Sequence, residues 1–242
     1  MEPSKCVDTS CFYTEPRHGS LMRSDLEIKG SEHQFHLKGQ SLVLSCDRSI
    51  FWEDHSALVV SDLHLGKAGH FRKHGIPVPS QIHISDLQRV NSLIEICRPE
   101  RILFLGDLFH SDQNDEWQDF MHWSNFHSGI EQILILGNHD ILDPSQYGHT
   151  RVRLCEEYLH GPFEFTHETR RSKAYNISGH IHPSIRLSGL ARQGVTLPCF
   201  YFGQDHALLP AFGEFTGNHP IRARAGDQVF AIGEDLLIGL VG

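Results

Sequence analysis

The chain has no apolar run near the ~20 residues that a membrane-crossing helix needs; its longest are Ile133–Leu136 and Leu236–Val241. Cysteine is scarce. Six occur, at 6, 11, 46, 97, 155 and 199, with no C-x-x-C pair. That spacing excludes a disulfide scaffold and a structural thiolate zinc site. Positive charge is also short, with 21 Lys+Arg against 30 Asp+Glu and a net charge of −9. A surplus of acid argues against a broad phosphate-gripping surface, because duplex binding ordinarily shows a basic face. The first 30 residues lack an apolar core and are broken by Pro3, Pro16 and Gly19, so no secretory signal is read there. The expectation is a reduced, cytoplasmic, soluble protein with a flexible leader over 1–30 and one domain over 31–242.

What the chain does have is enough apolar content for a core, 39% hydrophobic residues, and an unusual 19 histidines. Short alternating runs between 35 and 52 read as strands joined by tight turns. Ala57–Val60 is a buried run. Ser80 can cap a helix whose apolar positions Ile84, Leu87, Val90, Ile94 and Cys97 follow helical spacing to Pro99. A second run, Ile102–Leu105, precedes a helix through Trp117, Phe120, Met121 and Ser124, closed by Gly129. Ile133–Leu136 is the third run. Continuous apolar strands alternating with amphipathic helices predict a parallel sheet covered on both faces. The second half predicts strands near 151–154, 163–166, 174–178, 194–202 and 228–232, read as an antiparallel meander in a second sheet.

Each strand of the first half runs into chemistry. Val59-Val60 leads to Ser61-Asp62-Leu63-His64-Leu65-Gly66-Lys67, Phe104-Leu105 to Gly106-Asp107-Leu108-Phe109-His110, and Ile135-Leu136 to Gly137-Asn138-His139-Asp140. In a parallel sheet the carboxyl ends of neighbouring strands lie side by side, where α/β proteins keep their sites. Asp62 and His64, two apart, would point the same way in an extended segment. The second half adds His167-Glu168 after 163–166 and Gly179-His180-Ile181-His182-Pro183 after 174–178. Carboxylates, imidazoles and one amide oxygen suit Mn, Fe or Zn, and seven ligands fit two ions about 3.5–4 Å apart. His160 and His149 compete with His167 for the ligand role.

The order D-x-H, G-D, G-N-H-D, H, G-H-x-H resembles the calcineurin-like metallophosphoesterases. The fuller strings S-D-L-H-L-G-K, H-G-I-P-V-P-S, G-D-L-F-H-S, G-H-I-H-P and L-P-C-F resemble one branch more closely, the ligase-associated DNA damage response endonucleases. That resemblance implies a mixed α/β (α+β) fold, a four-layer α-β-β-α sandwich of the metallo-dependent phosphatase type, over 31–242. It implies Asp62, His64 and His182 on one metal, Asp107 bridging, and Asn138, His167 and His180 on the other. It further implies His139 near the leaving group, oriented by Asp140, and a hydroxide held between two ions, Mn²⁺ by preference, attacking a phosphodiester in line.

His110 and Lys67 are candidate substrate contacts. The expected substrate is DNA, single-stranded or locally opened, with a DNA ligase as pathway partner in repair. With no dense basic stripe visible, few phosphate contacts and a gentle salt dependence are expected. A phosphatase or nucleotide pyrophosphohydrolase on the same centre is the alternative, and a non-catalytic scaffold of the same fold is a third reading.

Overall fold

The computed structural model describes residues 26–66, 82–109, 115–188, 194–214 and 216–241. Lys67, His110 and the basic residues 72–74 lie outside them, as does most of the leader.

Seven strands form the first sheet: β1 (Glu32–Leu37), β2 (Gln40–Ser45), β3 (Ser49–Trp52), β4 (Ala57–Val60), β5 (Arg101–Leu105), β6 (Glu131–Ile135) and β7 (Val152–Cys155), in that spatial order. The pairs from β1 to β4 are antiparallel and those from β4 to β7 parallel. Helices α1 (Ile82–Cys97) and α2 (Asp115–Phe126) connect β4 to β5 and β5 to β6. The α2 side chains Trp117, Phe120 and Trp123 pack with Leu87 and Val90 of α1 on Leu58, Val60 and Phe104 of the sheet. Apolar residues on both faces of β4–β6 therefore have a covering layer, as their unbroken hydrophobic runs require.

The second sheet faces the other side of the first. Its path is β8 (Leu26–Gly30), β9 (Leu237–Val241), β10 (Gln228–Ile232), β11 (Gly194–Phe202), β12 (His206–Leu208), β13 (Tyr175–Ser178), β14 (Phe163–Thr166) and β15 (Tyr158–His160). The period-2 rule sorts its side chains. Phe200, Phe202, Phe230 and Ile232 point between the sheets against Phe35, Leu42 and Trp52, while Cys199, Val229 and Ala231 point outward. There they are covered by Ile185 and Leu187 of β16 (Pro183–Ser188), which pairs with β11 and with the two-residue strand β17 (His219–Pro220). Among the described residues this β unit closes the outer face of the second sheet, and the mixed α/β architecture of two stacked sheets is the one the resemblance implied.

Three local expectations are corrected. The strand near 151–154 joins the first sheet, parallel to β6, because the Leu154 side chain packs under the helical layer. The second sheet is not a pure meander: β14, β13 and β12 run parallel to one another. The leader set at 1–30 reaches too far, since Leu26–Gly30 is a strand antiparallel to Leu237–Val241.

Candidate metal centre

Two clusters of three ligand-type side chains form at the carboxyl ends of the strands: Asp62, His64 and His182 in one, Asp107, His167 and His180 in the other. In each, one donor atom per residue lies within 4.8 Å of the others. The loops after β4, β5, β14 and β13 supply all six. His160 instead pairs with His55, ring nitrogen to ring nitrogen at 2.9 Å, and so leaves the competition with His167.

The ligand loops are not extended. Asp62, His64, Asp107, His180 and His182 all lie in the left-handed region, with φ between 48° and 64°. Such a conformation costs an L-residue about 1–2 kcal/mol and persists where surrounding contacts over-determine it. Here those contacts are backbone bonds between loops: Asp62 N–H to the Gly106 carbonyl at 3.2 Å and His64 N–H to the Asp107 carbonyl at 2.8 Å. Asp62 and His64 thus reach one cluster by two left-handed turns, and the extended geometry read from their i, i+2 spacing is corrected.

Asp107 lies between the clusters. Its Oδ1 accepts the His139 backbone N–H at 2.9 Å and stands 3.4 Å from His167 Nε2, while Oδ2 is 3.8 Å from His64 Nε2. Asp62 Oδ1 is 3.3 Å from His182 Nε2, and its Oδ2 accepts the His180 N–H at 3.0 Å and the Ser61 hydroxyl. Burial works to raise the Asp62 carboxyl; His182, His167 and Ser61 outweigh it and hold the group below its ordinary range. Asn138 Oδ1 sits 3.0 Å from His167 Nε2, and His180 Nδ1 approaches the same nitrogen to 3.0 Å.

These contacts test the fit to cations. His167 Nδ1 lies 2.9 Å from the Leu105 carbonyl and His182 Nδ1 2.9 Å from the Gly217 carbonyl. A carbonyl only accepts, so each Nδ1 carries a proton and Nε2 is the nitrogen turned toward the cluster. There it meets carboxylate and amide oxygens, an arrangement that calls for positive charge, on the ring itself or from a cation between the donors. Backbone carbonyls fixing the far nitrogen are also the usual support of histidine ligands. The donor set fits two divalent cations.

His139 and Asp140 fall differently from the ligands. The His139 ring stands 5.8 Å from that of His64 and belongs to neither cluster. Asp140, expected to orient His139, accepts the Leu108 and Phe109 N–H groups on Oδ1 at 2.9 and 3.2 Å and the Gly137 N–H on Oδ2 at 2.8 Å. It braces the second ligand loop against the third. Desolvation pushes its carboxyl up to about 6 against the pull of those three N–H groups.

One supporting segment carried no signal in the sequence reading. Leu209–Glu214 arches along the first ligand loop: Phe212 and Gly213 N–H bond the Ser61 and Asp62 carbonyls at 2.7 and 3.1 Å, and the Gly217 carbonyl holds His182. Arg48 and Arg89 grip the arch from outside, through the carbonyls of Ala211, Gly213 and Phe212. Nothing in the local pattern of Pro210-Ala211-Phe212-Gly213 marks it, since its partners are some 150 residues away.

Gly106 shows how tight the packing is. It adopts φ +78°, and a Cβ there would fall inside the His167 ring. Gly106→Ala is therefore expected to displace His167 and weaken Mn²⁺ binding by about 10–100-fold, the range for groups that orient a ligand. Titration calorimetry reads it; wild-type affinity would mean the ring is not held there.

The calcineurin-like phosphoesterase family matches residues 55–205, well over half of the chain. No curated protein matches it. The crystal structure of the Pseudomonas putida nuclease MPE superposes with a TM-score of 0.73 at 27% identity, covering 85% of this chain and 99% of that one. Weaker likenesses are an Aquifex aeolicus protein of unknown function, AQ665 (TM-score 0.37, 17% identity, 52% of this chain and 78% of that one), and the Escherichia coli phosphoesterase Yfce (0.40, 12%, 75% and 90%). With two stacked sheets, ligand loops at the strand ends and a family match across all five motifs, the chain belongs to the calcineurin-like phosphoesterases and is a metal-dependent phosphoesterase.

Proposed function

We propose that this phosphoesterase is a DNA endonuclease that cuts phosphodiesters, prefers single strands, and works in DNA repair alongside a ligase. The observation that carries the reading is the pair of three-ligand clusters with Asp107 between them; the likeness to a nuclease over nearly its whole length supports the substrate class. Asp62, His64 and His182 would hold one ion, Asn138, His167 and His180 the other, and Asp107 both. When bound, two such ions, Mn²⁺ by preference, neutralise a phosphate and make water acidic near neutral pH.

The chain's own groups do the rest. Asp107 fixes the His139 main chain, and so sets where that imidazole stands relative to the first cluster. A protonated His139 can give a proton to the departing oxygen. The Asp140 brace keeps the two loops in register. A single strand can bend its backbone into a recessed site, whereas a duplex must first be distorted at a cost.

The test uses protein stripped with chelator and reloaded with Mn²⁺, on bis-p-nitrophenyl phosphate, p-nitrophenyl phosphate, single-stranded DNA and duplex DNA. The diester and the single strand are expected to be cut fastest. Preference for the monoester would favour a phosphatase. No cutting of either DNA would overturn the nuclease reading.

A further inference from the structure

In a chain with nine more acids than bases, three segments beside the first ligand cluster hold no carboxylate at all: 182–188, 194–202 and 216–226. They hold three arginines, Arg186, Arg222 and Arg224, all exposed. Strand pairing puts the segments side by side. Pro183 pairs with His219 and Ser184 with Pro220 in parallel, the His219 N–H donates to the His182 carbonyl at 2.9 Å, and Ile221 N–H donates to Ser184 at 2.8 Å. On the other side Arg186 pairs with Thr196 of β11, itself exposed.

Alternation decides which way the arginines face. Ile185 and Leu187 pack into the apolar cluster under this unit, with Leu197, Ile221 and Ala223 against it. Arg186 and Thr196 fall at the intervening strand positions and take the opposite, outer face; Arg222 and Arg224, past the end of β17, are exposed beside the packed Ile221 and Ala223. Arg186 is four residues along from the ligand His182, roughly 13 Å at the rise of a strand, and Arg222 occupies the neighbouring segment two residues beyond Pro220. The sequence shows these arginines as scattered single charges; the sheet gathers them on one surface leading away from the metal centre.

We propose that Arg186, Arg222 and Arg224 form a track for the phosphates of a single-stranded nucleic acid that flank the bond being cut. The proposal rests on the nuclease reading above and departs from the expectation of few phosphate contacts. Polyanion chemistry favours this partner: guanidinium groups in a row meet successive phosphates, and each phosphate neutralised on a single strand contributes about −0.7 to the salt slope of binding.

The test is the triple variant Arg186→Gln, Arg222→Gln, Arg224→Gln, loaded with Mn²⁺. KM for a single-stranded oligonucleotide is expected to rise about tenfold, and its salt dependence to flatten by about 0.7 per arginine removed. Turnover of bis-p-nitrophenyl phosphate, which needs only the metal centre, should stay at the wild-type value and certifies the fold. The corresponding Lys triple, which keeps the charge, should restore most of the salt slope. Unchanged KM and slope on DNA, with the small diester still hydrolysed, would overturn the track and leave the phosphodiesterase reading standing. A wild-type protein inactive on the small diester would remove that reading, and the track with it.

Discussion

Asp107→Asn is expected to abolish metal-dependent hydrolysis in a protein that still folds. The carboxylate is 2% exposed and reaches both clusters, one oxygen toward His167 and the other toward His64. Asparagine keeps the shape but loses the charge, and one of its two ends becomes a donor. Several kcal/mol of charge stabilisation go with it, which at about 1.4 kcal/mol per factor of ten is a loss on the order of 10³-fold.

Two readouts separate this from misfolding. Without metal the variant should still fold, because the amide keeps the carboxylate's shape and an oxygen to accept the His139 N–H. Wild type should gain thermal stability on addition of Mn²⁺, about 2.7 kcal/mol per ion at a hundredfold excess over Kd, and the variant should gain far less. Full activity with two bound ions in Asp107→Asn would sink the two-metal arrangement.

His139→Ala is expected to do the converse, keeping metal and losing turnover. The imidazole lies outside both ligand clusters, while its main chain is anchored to Asp107. Removing a proton donor costs about 10²–10⁴-fold where the leaving oxygen is a poor one, as in DNA. An aryl leaving group such as p-nitrophenolate departs without help, so bis-p-nitrophenyl phosphate should suffer much less. Equal losses on the two substrates would argue against proton donation. Loss of bound metal, measured by elemental analysis, would place His139 among the ligands instead.

The ligand motifs were legible because each follows an unbroken apolar run: Asp62 and His64 after Ala57–Val60, Asp107 after Ile102–Leu105, Asn138 after Ile133–Leu136. A buried parallel strand announces itself by composition, and its carboxyl end is where side chains are free to serve a site. Strands at 163–166, 194–202 and 228–232 were readable from residue type alone. Their neighbours were not. A side-chain pattern records which face of a strand is buried, and says nothing about which strand lies beside it; it therefore does not show that Val152–Cys155 joins the first sheet or that 163–166 runs parallel to 175–178.

The same limit hid what surrounds the ligands. Left-handed backbone at Asp62, His64 and Asp107 is disfavoured locally and is imposed by hydrogen bonds between loops some 45 residues apart. The arch at Leu209–Glu214 is held by Arg48 and Arg89, which reach it from far along the chain. The segments that carry Arg186 and Arg222 are joined by the pairing of Ser184 with Pro220. The order and chemistry of the donors were local properties, set residue by residue. Their convergence, the carbonyls that hold Nδ1 of His167 and His182, and the pairing that brings the Arg186 and Arg222 segments together depend on long-range contacts, which only the folded chain chooses.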